Sequence, residues 1–310
     1  MKPVFIEILA CPKCKAPLKL NNAQSADDEI HSGSLDCERG HRHPILGGIP
    51  RFVESELYVE NFGFEWNEHA RTQLDTTASD ESERVFKAKT GFAPGELAGK
   101  FVLDVGCGMG RFADVASRWG ATVVGIDLSR AVEAAQRNIG TRPNVSIAQA
   151  NIFELPFRDG TFDFIFSIGV LHHTPNTKAA FDNLPRLLRQ NGKIAIWLYT
   201  SYDSFQWRFS DLYRHVTPRF PKRLLHALSY VAVPLYYIYK IPILGLALRW
   251  VLPVSSHPKA EWRVLDTFDW YSPRYQWKHS YEEVFPWFEA QGLKDLRVLN
   301  VPVAVQGTKR

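Results

Sequence analysis

The chain contains no uninterrupted run of about 20 apolar residues, the length that a helix needs to cross a bilayer. Its most apolar stretch, Leu224 to Tyr239, is cut by Pro234 and followed by Lys240, Pro242 and Arg249, which argues against a spanning helix. Cysteine is scarce, four in 310 residues, and Cys11, Cys14 and Cys37 are crowded near the start. So sparse a set argues against a disulfide framework, favours metal ligation and fits a reducing, cytoplasmic compartment. Charge is not one-sided either. The 37 Lys and Arg against 33 Asp and Glu leave a net +4, well short of the basic patch by which charge alone would identify a nucleic-acid partner. The first apolar segment, Val4 to Ala10, is short and interrupted by Glu7, so no secretory h-region is expected there. What is present is an ordinary globular composition, 45 % apolar, long enough for about two domains with a real core.

The chain is organised around Phe101-Val-Leu-Asp-Val-Gly-Cys-Gly-Met-Gly-Arg111. Val102, Leu103 and Val105 suit a strand buried on both faces. Gly106, Gly108 and Gly110 let the backbone turn sharply and approach a ligand closely. Arg111 to Trp119 reads as a helix whose N-terminal N–H groups and dipole face that ligand, favouring a carboxylate or phosphate. A dinucleotide fingerprint needs a third glycine where Arg111 stands, so G-x-G-x-x-G fails. The next strand, Thr122 to Asp127, ends in an acid placed to reach ribose hydroxyls. Further strands are expected at 145–150, 162–168, 193–199, 293–299 and 303–308, alternating with helices as in a doubly wound parallel α/β sheet. Ser129 is the expected N-cap of a helix from Arg130 to Ile139, and Ser280-Tyr-Glu-Glu283 a capping box.

Before this core, Cys11-Pro-Lys-Cys14 and Cys37-Glu-Arg-Gly-His41 form two close pairs of soft or borderline ligands, a set suited to tetrahedral zinc. Residues 1–55 are too few to fold on a core alone, so a metal cross-link is a physical need, and the unit is expected to be separate from the rest. His31 and His43 also stand near; the spacing favours His41 as fourth ligand.

The pattern Asp104-x-Gly106-x-Gly108-x-Gly110 resembles motif I of the class I S-adenosylmethionine-dependent methyltransferases. Residues 101–200 with 280–308 resemble that core. Residues 1–55 look like the zinc ribbons fused ahead of bacterial methyltransferases. The resemblance implies a seven-stranded, mostly parallel, Rossmann-like sheet with its last strand antiparallel, S-adenosylmethionine as methyl donor, and zinc. It also implies that Gly106, Gly108 and Gly110 frame the methionine end of the cofactor, that Asp104 orients its amino group and that Asp127 takes the ribose. Asn151 stands where the family usually has an acid for the adenine amine; its carbonyl can still accept. Ile152 beside it is either an adenine contact or simple core.

The strand end Leu171-His172-His173 resembles the small-molecule branch of the family, where it faces the methyl group. Imidazole titrates near neutrality, so His172 and His173 are candidate bases, unless His172 only shapes the site. His279, which follows Asp269, Trp270, Tyr271 and Tyr275, is another candidate base or else a structural histidine. No Asn-Pro-Pro-Tyr-like sequence is present, which counts against amino-group methylation of nucleic-acid bases.

The expected division is a ribbon at 1–55, a linker and cofactor-covering segment at 56–99, the core at 100–200 and 263–310, and a helical insertion at 201–262. Phe62, Phe64 and Trp66 either cover the cofactor or pack plainly. The insertion reads as a lid over the acceptor, as a membrane-interface segment through 221–252, or as a dimer contact. The first two readings imply a small-molecule acceptor, a metabolite, sugar or lipid-like molecule, with an apolar part. The alternative acceptor is RNA held by the ribbon, because the C-x₃-H spacing is similar to that of rRNA guanine methyltransferases.

Overall fold

The described residues, 1–26, 29–56, 58–202 and 208–310 of a computed structural model, build two sheets. The first is antiparallel and four-stranded: β1 (Leu18–Ala26), β2 (Glu29–Cys37), β3 (Arg42–Leu46) and β4 (Ile49–Pro50), in chain order. Alternation is plain in β3, where His43 and Ile45 are buried and Arg42, Pro44 and Leu46 exposed.

The main sheet has seven strands: β5 (Phe101–Val105), β6 (Thr122–Asp127), β7 (Val145–Gln149), β8 (Phe162–Ile168), β9 (Leu188–Trp197), β10 (Leu293–Val298) and β11 (Ala304–Lys309). Their order is β10-β11-β9-β8-β5-β6-β7. Pairs among β5 to β9 are parallel, as the doubly wound reading predicts, and β11 runs antiparallel to both of its neighbours, as the family resemblance implies. β9 starts at Leu188 rather than at 193, because Asn191 at φ 63° and a register irregularity opposite Phe162 to Phe164 absorb a kink within polar sequence. Since β5 lies between β6 and β8, the chain leaves the sheet on opposite faces there and opens a crevice at the strand carboxyl ends.

Two caps depart from expectation. Arg130 holds the N-cap position of the helix Ala131–Ile139, although Ser129 Oγ still accepts from Ala131 N at 3.2 Å. Ser280 precedes the helix Tyr281–Ala290 without a side-chain cap, because Glu283 Oε2 is engaged by His279 Nδ1 at 2.9 Å and the expected capping box does not close.

The N-terminal sheet is not a detached bead. Leu9 bridges Phe157, Ala10 N donates to Pro156 O at 2.9 Å, and Phe52 N donates to Gln149 O at 2.9 Å, which covers the free edge of β7. Phe5, Leu9, Ile45 and Phe52 share one buried cluster with Leu103, Ile152, Leu155 and Phe157 of the main fold.

The insertion carries the short helices Arg208–Tyr213, Lys222–Ser229, Ala232–Ile238 and Leu244–Val251; residues 203–207 lie outside the described residues. The first three pack against a longer helix, Ala260–Tyr271. Ala232, Leu235, Tyr239 and Val254 make a small core of their own, too small to bury the rest, and Ile243 stays 86 % exposed. Among the described residues, no helix is long and apolar enough to cross a membrane.

Candidate active site

A cavity of about 360 Å³ opens at the carboxyl ends of the main-sheet strands. Its floor is the loop Gly106 to Met109 after β5, Asp127 and Leu128 after β6, Ala150 and Ile152 after β7, Ile168 to Val170 after β8, and Trp197 and Tyr199 at the end of β9. Its roof comes from two helices. The helix Glu60–Glu68 and the residues before it supply Tyr58, Val59, Phe62, Glu65 and Trp66, and the helix Ala260–Tyr271 supplies Leu265, Asp266, Asp269 and Trp270.

The glycines are required by contact. A Cβ on Gly106, at φ 80°, would lie 2.4 Å from Val170, and one on Gly108 would press on Trp66 Nε1 at 3.2 Å. Trp66 and Phe62 therefore cover the loop side, whereas Phe64 turns away to pack on Phe268 and His226. Gly110 caps the helix Arg111–Arg118 and does not line the cavity. Asp127 faces in. Its Oδ2 accepts from Gly108 N at 3.0 Å, and its Oδ1 accepts from Ser129 N and Oγ, both at 2.8 Å, so one carboxylate ties two loops together.

Other expected residues stand elsewhere. Asp104 is fully buried beneath the loop, off the cavity lining, with Oδ2 unpartnered and burial holding its carboxyl well above the usual range. Asn151 spends its Oδ1 on Phe153 N at 3.1 Å, a local turn that takes the side chain off the lining, while Ile152 lines it. His172 is sealed below, accepting from Tyr199 N at 3.3 Å through Nδ1. His279 is also outside, joined to Thr177 Oγ1 at 3.0 Å and to Glu283, with its ring on Trp287. His173 lines the cavity: its Nδ1–H donates to Tyr275 O at 2.8 Å, which leaves the buried Nε2 as a free acceptor. Burial keeps this imidazole neutral, pushed down to about 4.

Sequence reasoning missed Glu65, Lys89, Tyr199 and Asp266, all on the cavity wall. Glu65 is 0 % exposed and neither oxygen has a hydrogen-bond partner. Lys89 Nζ lies 3.1 Å over the Trp197 ring, and burial pushes it down to about 7. The signal for Glu65 was present as an acid three places after Phe62 on the inward face of an amphipathic segment. The lid role also moves. No residue from 208 to 252 lines the cavity, and the helix Ala260–Tyr271 closes it instead, because the insertion's apolar side chains pack on one another and on that helix or stay exposed.

At the N-terminal sheet Cys11, Cys14, Cys37 and His41 bring their ligand atoms within 4.8 Å of one another. His41 Nδ1 is 3.4 Å from both Cys11 and Cys37 Sγ, and Cys14 and Cys37 Sγ are 3.7 Å apart. His43 reaches only Cys11, at 3.7 Å, and its ring lies on Phe52; His31 is exposed.

A seven-stranded sheet of this order, with a glycine loop leaving its central strand and an acid ending the next, defines a class I S-adenosylmethionine-dependent methyltransferase fold. Residues 103–196, a little under a third of the chain, match the family model described as "Methyltransferase domain". It is 38 % identical over 104 residues to O-methyltransferase resE of Aspergillus sclerotiorum, which covers 32 % of this chain and 39 % of the relative. It is 27 % identical over 179 residues to 24-methylenesterol C-methyltransferase 2 of Oryza sativa subsp. japonica, covering 55 % of this chain and 47 % of that one. Among solved structures, magnesium protoporphyrin IX methyltransferase from Synechocystis PCC 6803 superposes with TM-score 0.45 at 14 % identity, over 82 % of this chain and 97 % of its own. The chain thus spans less than half the length of these two curated relatives.

Proposed function

We propose that this chain is an S-adenosylmethionine-dependent methyltransferase for a small-molecule acceptor with an apolar part. The observation that carries the reading is the meeting of the glycine loop and Asp127 in one cavity within the matched domain. The residues fit such a cofactor: Gly106 and Gly108 leave a cradle that a Cβ would fill, and Asp127 offers a carboxylate to a ribose diol. Bound there, S-adenosylmethionine supplies an electrophilic methyl group. The protein's share is mainly positioning, which can remove roughly 7 to 11 kcal/mol of barrier. Phe62 and Trp66 exclude water. Of the three candidate histidines His173 is our choice of base, because it alone lines the cavity and its Nε2 has no hydrogen-bond partner. Calorimetry with S-adenosylhomocysteine tests the reading. It should bind near one per chain, and Asp127→Ala should weaken it at least tenfold through the lost charge-assisted bonds. Unchanged affinity in a folded variant would sink the assignment.

The cysteine cluster supports zinc. A tetrahedral site with Zn–S near 2.3 Å has S···S edges of about 3.8 Å, against the 3.7 Å between Cys14 and Cys37.

A peripheral membrane contact through 221–252 is the second part of the proposal. No Asp or Glu occurs from Leu212 to Ala260, while Arg214, Arg219, Lys222, Arg223, Lys240, Arg249 and Lys259 do. Leu224, Tyr237, Ile243 and Leu246 are exposed in the same stretch. Each basic residue near an anionic bilayer contributes about 1 kcal/mol. Sedimentation with vesicles containing phosphatidylserine should carry the protein down, and changing Arg223, Lys240 and Arg249 to Gln should cut that at least tenfold. Salt-sensitive binding to total RNA, with no vesicle binding, would favour the RNA alternative instead.

A further inference from the structure

The cavity holds more charge than the cofactor reading uses. Asp127 stands at the loop end. Away from it, three more carboxylates line the wall: Glu65 from one roof helix, Asp266 and Asp269 from the other. Among the described residues, Asp269 Oδ2 accepts from Tyr199 Oη at 3.1 Å, Asp266 Oδ2 accepts from Ser255 Oγ at 2.9 Å, and Glu65 has no partner. Among the described residues, no ion pair within 4 Å closes on any of the three. Cations do face the two aspartates, Arg111 acting on Asp266, Lys89 on both and Arg214 on Asp269, whereas the charges that act on Glu65 are those aspartates. Arg111 donates to Ser82 Oγ at 2.9 Å and Gln73 Oε1 at 3.0 Å, and Lys89 sits over Trp197. A buried carboxylate without a partner is costly to keep charged. Burial, reinforced by Asp269 and Asp266, accordingly holds the Glu65 carboxyl well above the usual range, which leaves it ready to take charge when a cation arrives. The surrounding wall is aromatic, with Phe62, Trp66, Tyr199 and Trp270, and aromatic faces favour cations over neutral polyols.

We propose that Glu65 and Asp269, braced by Tyr199, form the acceptor subsite of this cavity and that it selects an acceptor bearing an ammonium group. The inference rests on the methyltransferase reading. Glu65 is assigned to the acceptor rather than to the cofactor's own amine because Asp266, Asp269 and Tyr199 are its electrostatic neighbours, whereas the cofactor loop is held by Asp127.

The test uses the full chain saturated with S-adenosylhomocysteine and titrated in a calorimeter with ethanolamine, with choline and, as neutral control, with ethylene glycol. Wild-type protein should bind the two ammonium compounds and not the diol. Glu65→Gln, which keeps the shape and removes the charge, should weaken ammonium binding at least tenfold while S-adenosylhomocysteine affinity stays within threefold. Asp269→Asn should weaken it in the same direction and guards against a folding defect in the first variant. Equal binding of the diol overturns the inference. So does a tenfold loss of S-adenosylhomocysteine affinity in Glu65→Gln, which would give that carboxylate to the cofactor. Cofactor binding without ammonium binding overturns this inference alone; failure to bind S-adenosylhomocysteine at all removes the methyltransferase reading and this inference with it.

Discussion

If the cysteine cluster holds zinc as proposed, disrupting it should be felt across the whole chain. Cys14→Ser is the mildest perturbation, because Cys14 is half-buried while Cys11 and Cys37 are buried, and serine nearly preserves its volume. Without the cross-link, the four-stranded sheet keeps a core of only a few side chains such as Leu18, Ile30, Leu35 and Ile45, too few to hold it. Phe5, Leu9 and Phe52 are 3, 0 and 7 % exposed, and they belong to the same cluster as Leu155 and Phe157 of the main fold. Uncovering three such side chains at roughly 1.5 to 3 kcal/mol each costs about 5 to 9 kcal/mol, a large part of the roughly 5 to 15 kcal/mol that holds a typical fold. A fall in melting temperature on the order of 10 °C follows for a chain of this size even at the low end. Ile152, in the same cluster, also lines the cavity, so S-adenosylhomocysteine binding should weaken as well. Elemental analysis should find about one zinc per chain in native protein and less in the variant, and calorimetric melting reads the rest. A zinc-free Cys14→Ser protein that melts at the native temperature would refute the coupling, and metal-free native protein would remove the metal reading altogether.

Gly106→Ala places a Cβ 2.4 Å from both Val170 methyl carbons at φ 80°; overpacking and left-handed strain together should cost about 2 to 5 kcal/mol and weaken S-adenosylhomocysteine binding. Adding Val170→Ala should recover only the steric part, and full recovery in a binding titration would mean that the backbone angle is unimportant. Asp269 is pushed up to about 6 by burial first, so it binds its proton more tightly in the fold than in the unfolded chain. Its contribution to stability is therefore present below the ordinary carboxylate range and lost as pH rises through about 6. His173, pushed down to about 4 by burial, acts oppositely, its contribution being present above the ordinary imidazole range and lost as pH falls. Comparing native protein with Asp269→Asn isolates the first effect: between pH 5 and 7 the native chain should lose about 1 kcal/mol relative to the variant in urea unfolding. Parallel pH profiles would show that Asp269 does not titrate there.

What was legible in the sequence is what depends on near neighbours along the chain. β5 and β6 declare themselves because buried parallel strands are continuous apolar runs, and their terminal acid and glycines sit at fixed offsets from those runs. The cysteine pairs are legible for the same reason. Asn151 shows where such reasoning stops, since its side chain is claimed by an amide two residues on, a bond that competes with any ligand and leaves no mark on the spacing. His279 and Glu283 likewise satisfy each other and unmake the expected cap. The polar wall of the cavity was out of reach for a different reason. Lys89, Tyr199 and Asp266 come from separate stretches of the chain, and each alone is an ordinary residue of its segment. Only the fold sets Glu65 against Asp269 with no hydrogen-bond partner of its own. A group that is unsatisfied in its own fold makes little sense as packing, because replacing it would relieve a desolvation penalty. Its presence in the wall of a ligand cavity is therefore better explained by what enters that cavity than by what surrounds it.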